Sequence, residues 1–231
     1  MTRLALLSGG AAQGLVGALA PAFEAETGCR IEGEFGAVGA MAAKLRAGAP
    51  ADLLILTAAL IAELTREGRV IEGSAADVGT VLTAVAVRAG GAAPPIADGD
   101  ALRAALLAAD AIYFPDPRQA TAGIHFAKVL DRLGIGEAVA ARLQPFPNGA
   151  AAMRALAASR SARPIGCTQI TEMLSTPGVA VAGALPTGFE LATIYTAAVA
   201  ANAAEPVQAR RLAALLTGEA AREARTRAGF S

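Results

Sequence analysis

The chain is poor in the residues that carry most redox, metal and charge chemistry. Its 231 residues include two cysteines, one histidine and two lysines (Lys44 and Lys128), and aromatics make up 4%. Cys29 and Cys167 are too few and too far apart for a disulfide framework or a CxxC-type zinc site, and read as small buried or half-buried thiols. With one histidine, two separated cysteines and no clustered carboxylates, no metal ligand set forms, so neither a metal nor a cofactor is expected. Neither sign of charge is in excess: Lys+Arg and Asp+Glu are 20 each, for a formal net charge of zero. A nucleic-acid binder would carry a basic excess or stripe, so nucleic acid is not an expected partner. No stretch of ~18 residues runs without Gly, Pro or charge, which speaks against membrane insertion.

What the chain does have is apolar material, 54% hydrophobic against 17% charged, and that excludes disorder. At ~100–200 residues per domain, the length allows one domain or two small ones. Met1-Thr2-Arg3 leads straight into Leu4–Leu7, a run too short for a secretory signal and followed by no cleavage motif. The expectation is a cytoplasmic protein, or a periplasmic one if a leader has been removed.

Short apolar runs alternate with helical patterns from end to end. Leu4–Leu7 reads as a strand, followed by the turn Ser8-Gly9-Gly10. In Ala11–Thr27, Leu15, Leu19 and Phe23 share one helical stripe, and Gly28 ends it. Strands follow at Arg30–Phe35, Asp52–Leu56, Val81–Arg88, Ala111–Phe114, Ile165–Thr168, Val179–Ala182 and Leu191–Ala200. Helices follow at Gly39–Ala47, Ala58–Glu67, Asp100–Ala108, Ala122–Leu133, near Glu137–Arg142, Asn148–Ser159, Glu205–Leu216 and Glu219–Arg227, with Gly48, Gly68 and Gly134 as stops. This alternation predicts an α/β fold with parallel sheets. The two long runs, Val81–Arg88 and Leu191–Ala200, bracket a central segment of about 100 residues, as when one domain is inserted into another. The boundaries predicted are residues 1–82 plus 190–231 for one lobe and 83–189 for the other. A ligand is then expected in the cleft, beyond the carboxyl ends of the strands.

Three stretches carry a family resemblance: Phe23-Glu24-Ala25-Glu26-Thr27-Gly28, Phe35-Gly36-Ala37-Val38-Gly39-Ala40, and Arg46-Ala47-Gly48-Ala49-Pro50-Ala51-Asp52-Leu53. Asp116-Pro117, Thr121-Ala122-Gly123-Ile124 and the closing Arg227-Ala228-Gly229-Phe230 extend it over nearly the whole chain. The sequence resembles the periplasmic molybdate-binding proteins of ABC transporters. That resemblance implies a two-lobed periplasmic-binding-protein-like fold, with two strands crossing between lobes and a small anionic ligand in the cleft. An ABC permease is implied as a partner only if the protein is periplasmic.

The family's ligand residues carry over unevenly. A serine after the first strand corresponds to Ala11, with Gly10 before it and Ser8 three residues earlier. A second family serine corresponds to Val38, and a tyrosine of the far lobe to Gln169. Backbone contacts survive at Ala122 and near Ala150-Ala151. A desolvated oxyanion oxygen left without a donor costs ~1–3 kcal/mol or more, so the chain is not expected to bind molybdate tightly.

An organic di- or tricarboxylate fits better. Helix starts at Ser8-Gly9-Gly10-Ala11, at Ala37-Val38-Gly39 and at Thr121-Ala122-Gly123 offer N–H groups and partial positive charge; each alone also reads as a plain turn. Arg118 can give a carboxylate a bidentate contact, or be a solvated loop residue. Asn148, before Gly149, is a helix N-cap or a ligand donor. Gln169 is a neutral donor or a polar loop residue. His125, the single histidine, is a structural residue or a proton shuttle, since imidazole suits proton transfer near neutral pH.

Two classes of function follow. One is a solute-binding module for a small anion. The other is a cofactor-free isomerase that shifts a double bond in an unsaturated acid by proton transfer, because the resemblance extends to aconitate isomerase. A molybdate- or oxyanion-binding transporter component is a further reading.

Overall fold

A computed structural model describes residues 2–231. In chain order it runs β1 (Thr2–Gly9), a 3-10 turn at Gly10–Ala12, α1 (Gln13–Thr27), β2 (Cys29–Gly36), α2 (Val38–Arg46), β3 (Leu53–Thr57), α3 (Ala58–Arg66) and β4 (Ala76–Arg88). It continues with α4 (Gly99–Ala108), β5 (Ala111–Pro115), α5 (Thr121–Arg132), α6 (Gly136–Val139), β6 (Leu143–Phe146), α7 (Gly149–Ala157), β7 (Pro164–Gln169), α8 (Ile170–Leu174) and β8 (Val179–Ala184). The last elements are β9 (Ala192–Val199), α9 (Pro206–Thr217) and α10 (Arg222–Ala228). The chain divides into two compact units. One runs up to Val81 and resumes at Thr193–Ser231; the other is Leu82–Ala192.

In the first unit the strands are ordered β2-β1-β3-β9. β1 is parallel to β2 and β3, whereas β9 is antiparallel to β3. The central strands are aliphatic throughout: Leu53–Leu56 and Ala197–Val199 are fully buried, as expected of strands covered on both faces. α1 adds Leu15 and Phe23, and α9 adds Leu212 and Leu216. Asp52 fastens this sheet. Its carboxylate accepts the Ala5 N–H at 2.7 Å and the Glu205 N–H at 2.9 Å, tying β1, the start of β3 and the entry to α9.

In the second unit the order is β4-β7-β5-β6, with β8 on β4. β5 is parallel to β6 and β7; β4 is antiparallel to β7 and β8. Alternation along β4 and β7 separates two cores. Val85, Ile165 and Cys167 face one way and pack with Phe126, Val129 and Leu130 of α5. Ala84 and Ala86 face the other way and pack with Met153 and Leu156 of α7.

The α/β class expected from the sequence is what forms, but the sheets are mixed. The purely parallel reading fails at β4, which runs antiparallel to β7 and β8, and at β9, which runs antiparallel to β3. β6 and α8 were not anticipated. Leu143–Phe146 contains Pro145, which an edge strand tolerates because one N–H side needs no partner.

Candidate anion-binding site

In each unit the candidate site is built from helix starts. In parallel α/β arrangements, helices begin just past the carboxyl ends of strands, and their first N–H groups lack partners inside the helix. Four of these starts have no side-chain cap: the turn Gly10–Ala12 after β1, α2 with Ala37 at its N-cap, α5 with Ala120 at its N-cap, and the five-residue α8 with Gln169 at its N-cap. Others are closed by the chain itself. Thr57 accepts from Leu60 at the start of α3, and Asp98 accepts from Ala101 at the start of α4.

In the first unit, Gly9 and Val38 come together. A methyl group on Gly9 would lie 2.8 Å from Val38 Cγ1 and 2.9 Å from Tyr195 Cε1, so only glycine fits there. Gly10, Ala11, Ala37 and Val38 are buried, and Gly39 is half-buried. Ser8 is fully buried, and its hydroxyl donates to the Gly9 carbonyl at 2.9 Å, so its proton is committed to the main chain. Tyr195, on β9, stands edge-on to Phe230. Its place beside Gly9 was hidden in a run that reads only as an apolar strand.

In the second unit, Asp116 shapes the approach to α5. Its Oδ1 accepts the N–H groups of Arg118 and Gln119, and its carbonyl accepts the Ala120 N–H. The helix's own bonding begins at the Ile124 N–H, which donates to the Ala120 carbonyl, so Thr121, Ala122 and Gly123 stand ahead of it. Gly123 seats this turn on the strand end: a Cβ there would lie 2.3 Å from the carbonyl oxygens of both Pro115 and Asp116. The Arg118 side chain is exposed and makes no ion pair among the described residues.

His125 is half-buried on the second turn of α5. Its Nε2 lies 2.8 Å from the Phe189 carbonyl. A carbonyl only accepts, so Nε2 carries the proton and Nδ1 is the nitrogen left to take one. The Phe189 ring lies under the Arg132 guanidinium, 4.6 Å from ring centre to Cζ.

At the start of α7 Asn148 takes the first of its two expected roles. Asn148 is an N-cap: its Oδ1 accepts the Ala151 N–H at 2.9 Å. The Gly149 and Ala150 N–H groups bond the carboxyl of Glu172, which also receives the Gln169 N–H and, at 2.5 Å, the Thr168 hydroxyl. Gly149 is required there, because a Cβ would sit 1.8 Å from Glu172 Oε2. Burial pushes the Glu172 pKa above its ordinary value, with these donors pulling the other way. Thus Asn148, Gly149 and the neighbouring Ala150-Ala151 amides are engaged by the protein, with Glu172 standing where an external anion was expected. Gln169 is buried at the carboxyl end of β7.

A separate apolar pocket of about 410 Å³ lies among Val87, Pro94, Ala105, Ala109 and Ile165. It sits by the amino end of β7, away from the helix starts. Among the described residues no group of His, Cys, Asp and Glu forms a metal site, and no helix is long and apolar enough to cross a membrane.

Two α/β units with helix starts at the carboxyl ends of their strands make up the fold of the periplasmic binding proteins. The family of bacterial extracellular solute-binding proteins matches residues 4–231, and the chain belongs to it. Among solved structures it is similar to the periplasmic molybdate-binding protein of Azotobacter vinelandii, with a TM-score of 0.80, 18% identity, and 99% and 98% of the two chains covered. It is also similar to a sulfate-binding protein of Mycobacterium tuberculosis, with a TM-score of 0.78, 19% identity, and coverage of 100% of this chain and 86% of the other. Among characterised proteins, an aconitate isomerase of a Pseudomonas species is 27% identical over 230 residues, covering 97% of this chain and 86% of the relative.

Proposed function

We propose that the chain binds a small organic anion, a di- or tricarboxylate in preference to molybdate, through main-chain N–H groups at its uncapped helix starts. The observation that carries this reading is that the helix starts at Gly10–Ala12, α2 and α5, beyond the carboxyl ends of β1, β2 and β5, are buried and have no side-chain acceptor. Those of α3 and α7 are closed by Thr57 and Asn148; the α8 start, also uncapped, belongs to a helix of five residues. Orphan N–H groups at a buried helix start favour an anion without any lysine. The carboxylate preference rests on Ala11 and Val38, which bring no hydroxyl, and on the Ser8 hydroxyl being committed to Gly9. A planar carboxylate is served by adjacent N–H groups of one helix turn; a tetrahedral oxyanion leaves more oxygens unserved.

A thermal-shift series with citrate, cis- and trans-aconitate, sulfate and molybdate at matched ionic strength tests this. A carboxylate at 100 times its Kd stabilises by ~2.7 kcal/mol. Stabilisation by micromolar molybdate, with no response to any carboxylate, contradicts the reading.

A second reading, an isomerase moving a double bond by proton transfer, is favoured by the aconitate isomerase similarity over nearly the full chain. His125 Nδ1 is the group available for the transfer. NMR of cis-aconitate with the protein in D2O reads it out: deuterium incorporation or trans isomer that is lost in His125→Ala supports catalysis. Absence of exchange in the wild type leaves binding as the function.

A further inference from the structure

We propose that Thr83 is a ligand-contact residue of the second unit, its hydroxyl standing on the same sheet face and at the same sheet end as the first turn of α5. The proposal rests on the anion reading above and adds a side chain to it.

Thr83 is 1% exposed, and its Oγ1 has no hydrogen-bond partner. The main chain is fully engaged: the Thr83 N–H donates to the Leu191 carbonyl at 2.9 Å, and the Thr83 carbonyl accepts the Leu185 N–H at 3.2 Å. The hydroxyl therefore does nothing to hold the strand, and a buried polar group without a partner is costly enough to call for an explanation.

Its direction follows from register. Thr83 pairs directly with Gln169 across the antiparallel β4–β7 ladder, so the two side chains project from one face. Two residues after Thr83 and two before Gln169, Val85 and Cys167 project from that same face and pack on α5. The opposite face, with Ala84 and Ala86, carries α7. Thr83 is thus on the α5 side. β5 and β7 are parallel, and α5 starts beyond the carboxyl end of β5, the end of the sheet where Gln169 closes β7. An uncapped helix start and a buried hydroxyl without a partner, two independent features, meet there.

The chemistry selects a ligand class. Main-chain N–H groups only donate, whereas a hydroxyl donates and accepts. A hydroxycarboxylic acid uses both, with a carboxylate on α5 and its own hydroxyl donating to Thr83 Oγ1, while a second carboxylate of a polycarboxylic acid accepts from the Thr83 hydroxyl.

The test is Thr83→Val, which keeps the shape and removes the hydroxyl, alongside Thr83→Ser, which keeps the hydroxyl. Calorimetry with citrate or cis-aconitate, whichever binds the wild type, should show affinity about tenfold or more weaker in Thr83→Val and little changed in Thr83→Ser. Unliganded Thr83→Val should melt at or above the wild-type temperature, because no internal hydrogen bond is lost. Unchanged affinity in Thr83→Val, equal losses in both variants, or a lower melting temperature for unliganded Thr83→Val would overturn the proposal. A wild type that neither acid stabilises overturns the anion reading and this contact with it. That outcome is distinct from failure of the contact alone, in which wild type and Thr83→Val bind equally.

Discussion

Replacing Gly123 by alanine adds one methyl group at the point where α5 rests on the end of β5. The new Cβ would lie 2.3 Å from two carbonyl oxygens, Pro115 and Asp116, about 1 Å short of the 3.4 Å at which ordinary contact begins. Both obstacles are backbone, held by the parallel β5–β6 ladder and the turn bonded to Asp116, so neither can swing aside. The first turn of α5 has to move instead. Overpacking of this kind costs ~1–3 kcal/mol. For a chain of this size each kcal/mol is ~2–4 °C in Tm, so Gly123→Ala should melt ~2–12 °C lower. Displacing the Thr121–Gly123 amides by about 1 Å lengthens the hydrogen bonds offered to an anion, and affinity should fall by at least ~1.4 kcal/mol, a factor of ten. Gly17→Ala is the matched control. Gly17 lies inside α1 with nothing within 4 Å of the added methyl, so that variant should gain ~0.5–1 kcal/mol and bind normally. Differential scanning fluorimetry and calorimetric titration on the pair decide it. Equal melting temperatures and equal affinities in Gly123→Ala and Gly17→Ala would refute the account of how α5 is seated.

Three further outcomes follow from the interior. Glu172 has a pKa raised by burial, so above the ordinary carboxylate range the folded state binds more protons than the unfolded one, and stability falls as pH rises through that window. Urea midpoints from pH 4 to 8 should decline in the wild type and lose that component in Glu172→Gln. Asp52→Ala strips the acceptor from two half-buried N–H groups, Ala5 and Glu205, at ~0.5–1.5 kcal/mol each, so urea unfolding should show a loss of ~1–3 kcal/mol. Cys29 and Cys167 are fully buried with thiol pKa values pushed up by desolvation, so a disulfide reagent at pH 8 should label neither in the folded protein and both after denaturation.

The order of strands and helices was legible because the chain marks its helix ends clearly. The glycines read as stops, Gly28, Gly48, Gly68 and Gly134, all have positive φ, the conformation that makes glycine the residue of choice there. Local pattern gives no information on strand direction, and this is why the sheets read as parallel although β4 runs antiparallel to β7 and β9 to β3. The helix starts at Gly10, Val38 and Thr121 were visible from their Gly-rich turns. Their lack of caps emerges only from the structure, where α5 begins at Thr121, one residue earlier than read, and so takes Ala120 as its N-cap. Glu172 was not, because its partners are main-chain N–H groups of a helix formed earlier in the chain, and no spacing rule links a carboxyl to them. Thr83 was hidden for a different reason: in a β-branched apolar run a threonine reads as strand filler, and only register and burial single out its hydroxyl.

The central claim is that anions are held by helix-start amides and not by charged side chains. Amide chemical shifts of the 15N-labelled protein, followed while citrate or cis-aconitate is added at constant ionic strength, test it most directly. The account predicts saturable downfield shifts at Ala122 and Gly123 of α5 and at Gly10 and Ala11 after β1, with the α7 amides of Gly149 and Ala150, engaged by Glu172, unmoved. Saturable shifts confined to arginine side chains or to the α7 start, with those four amides silent, would contradict it.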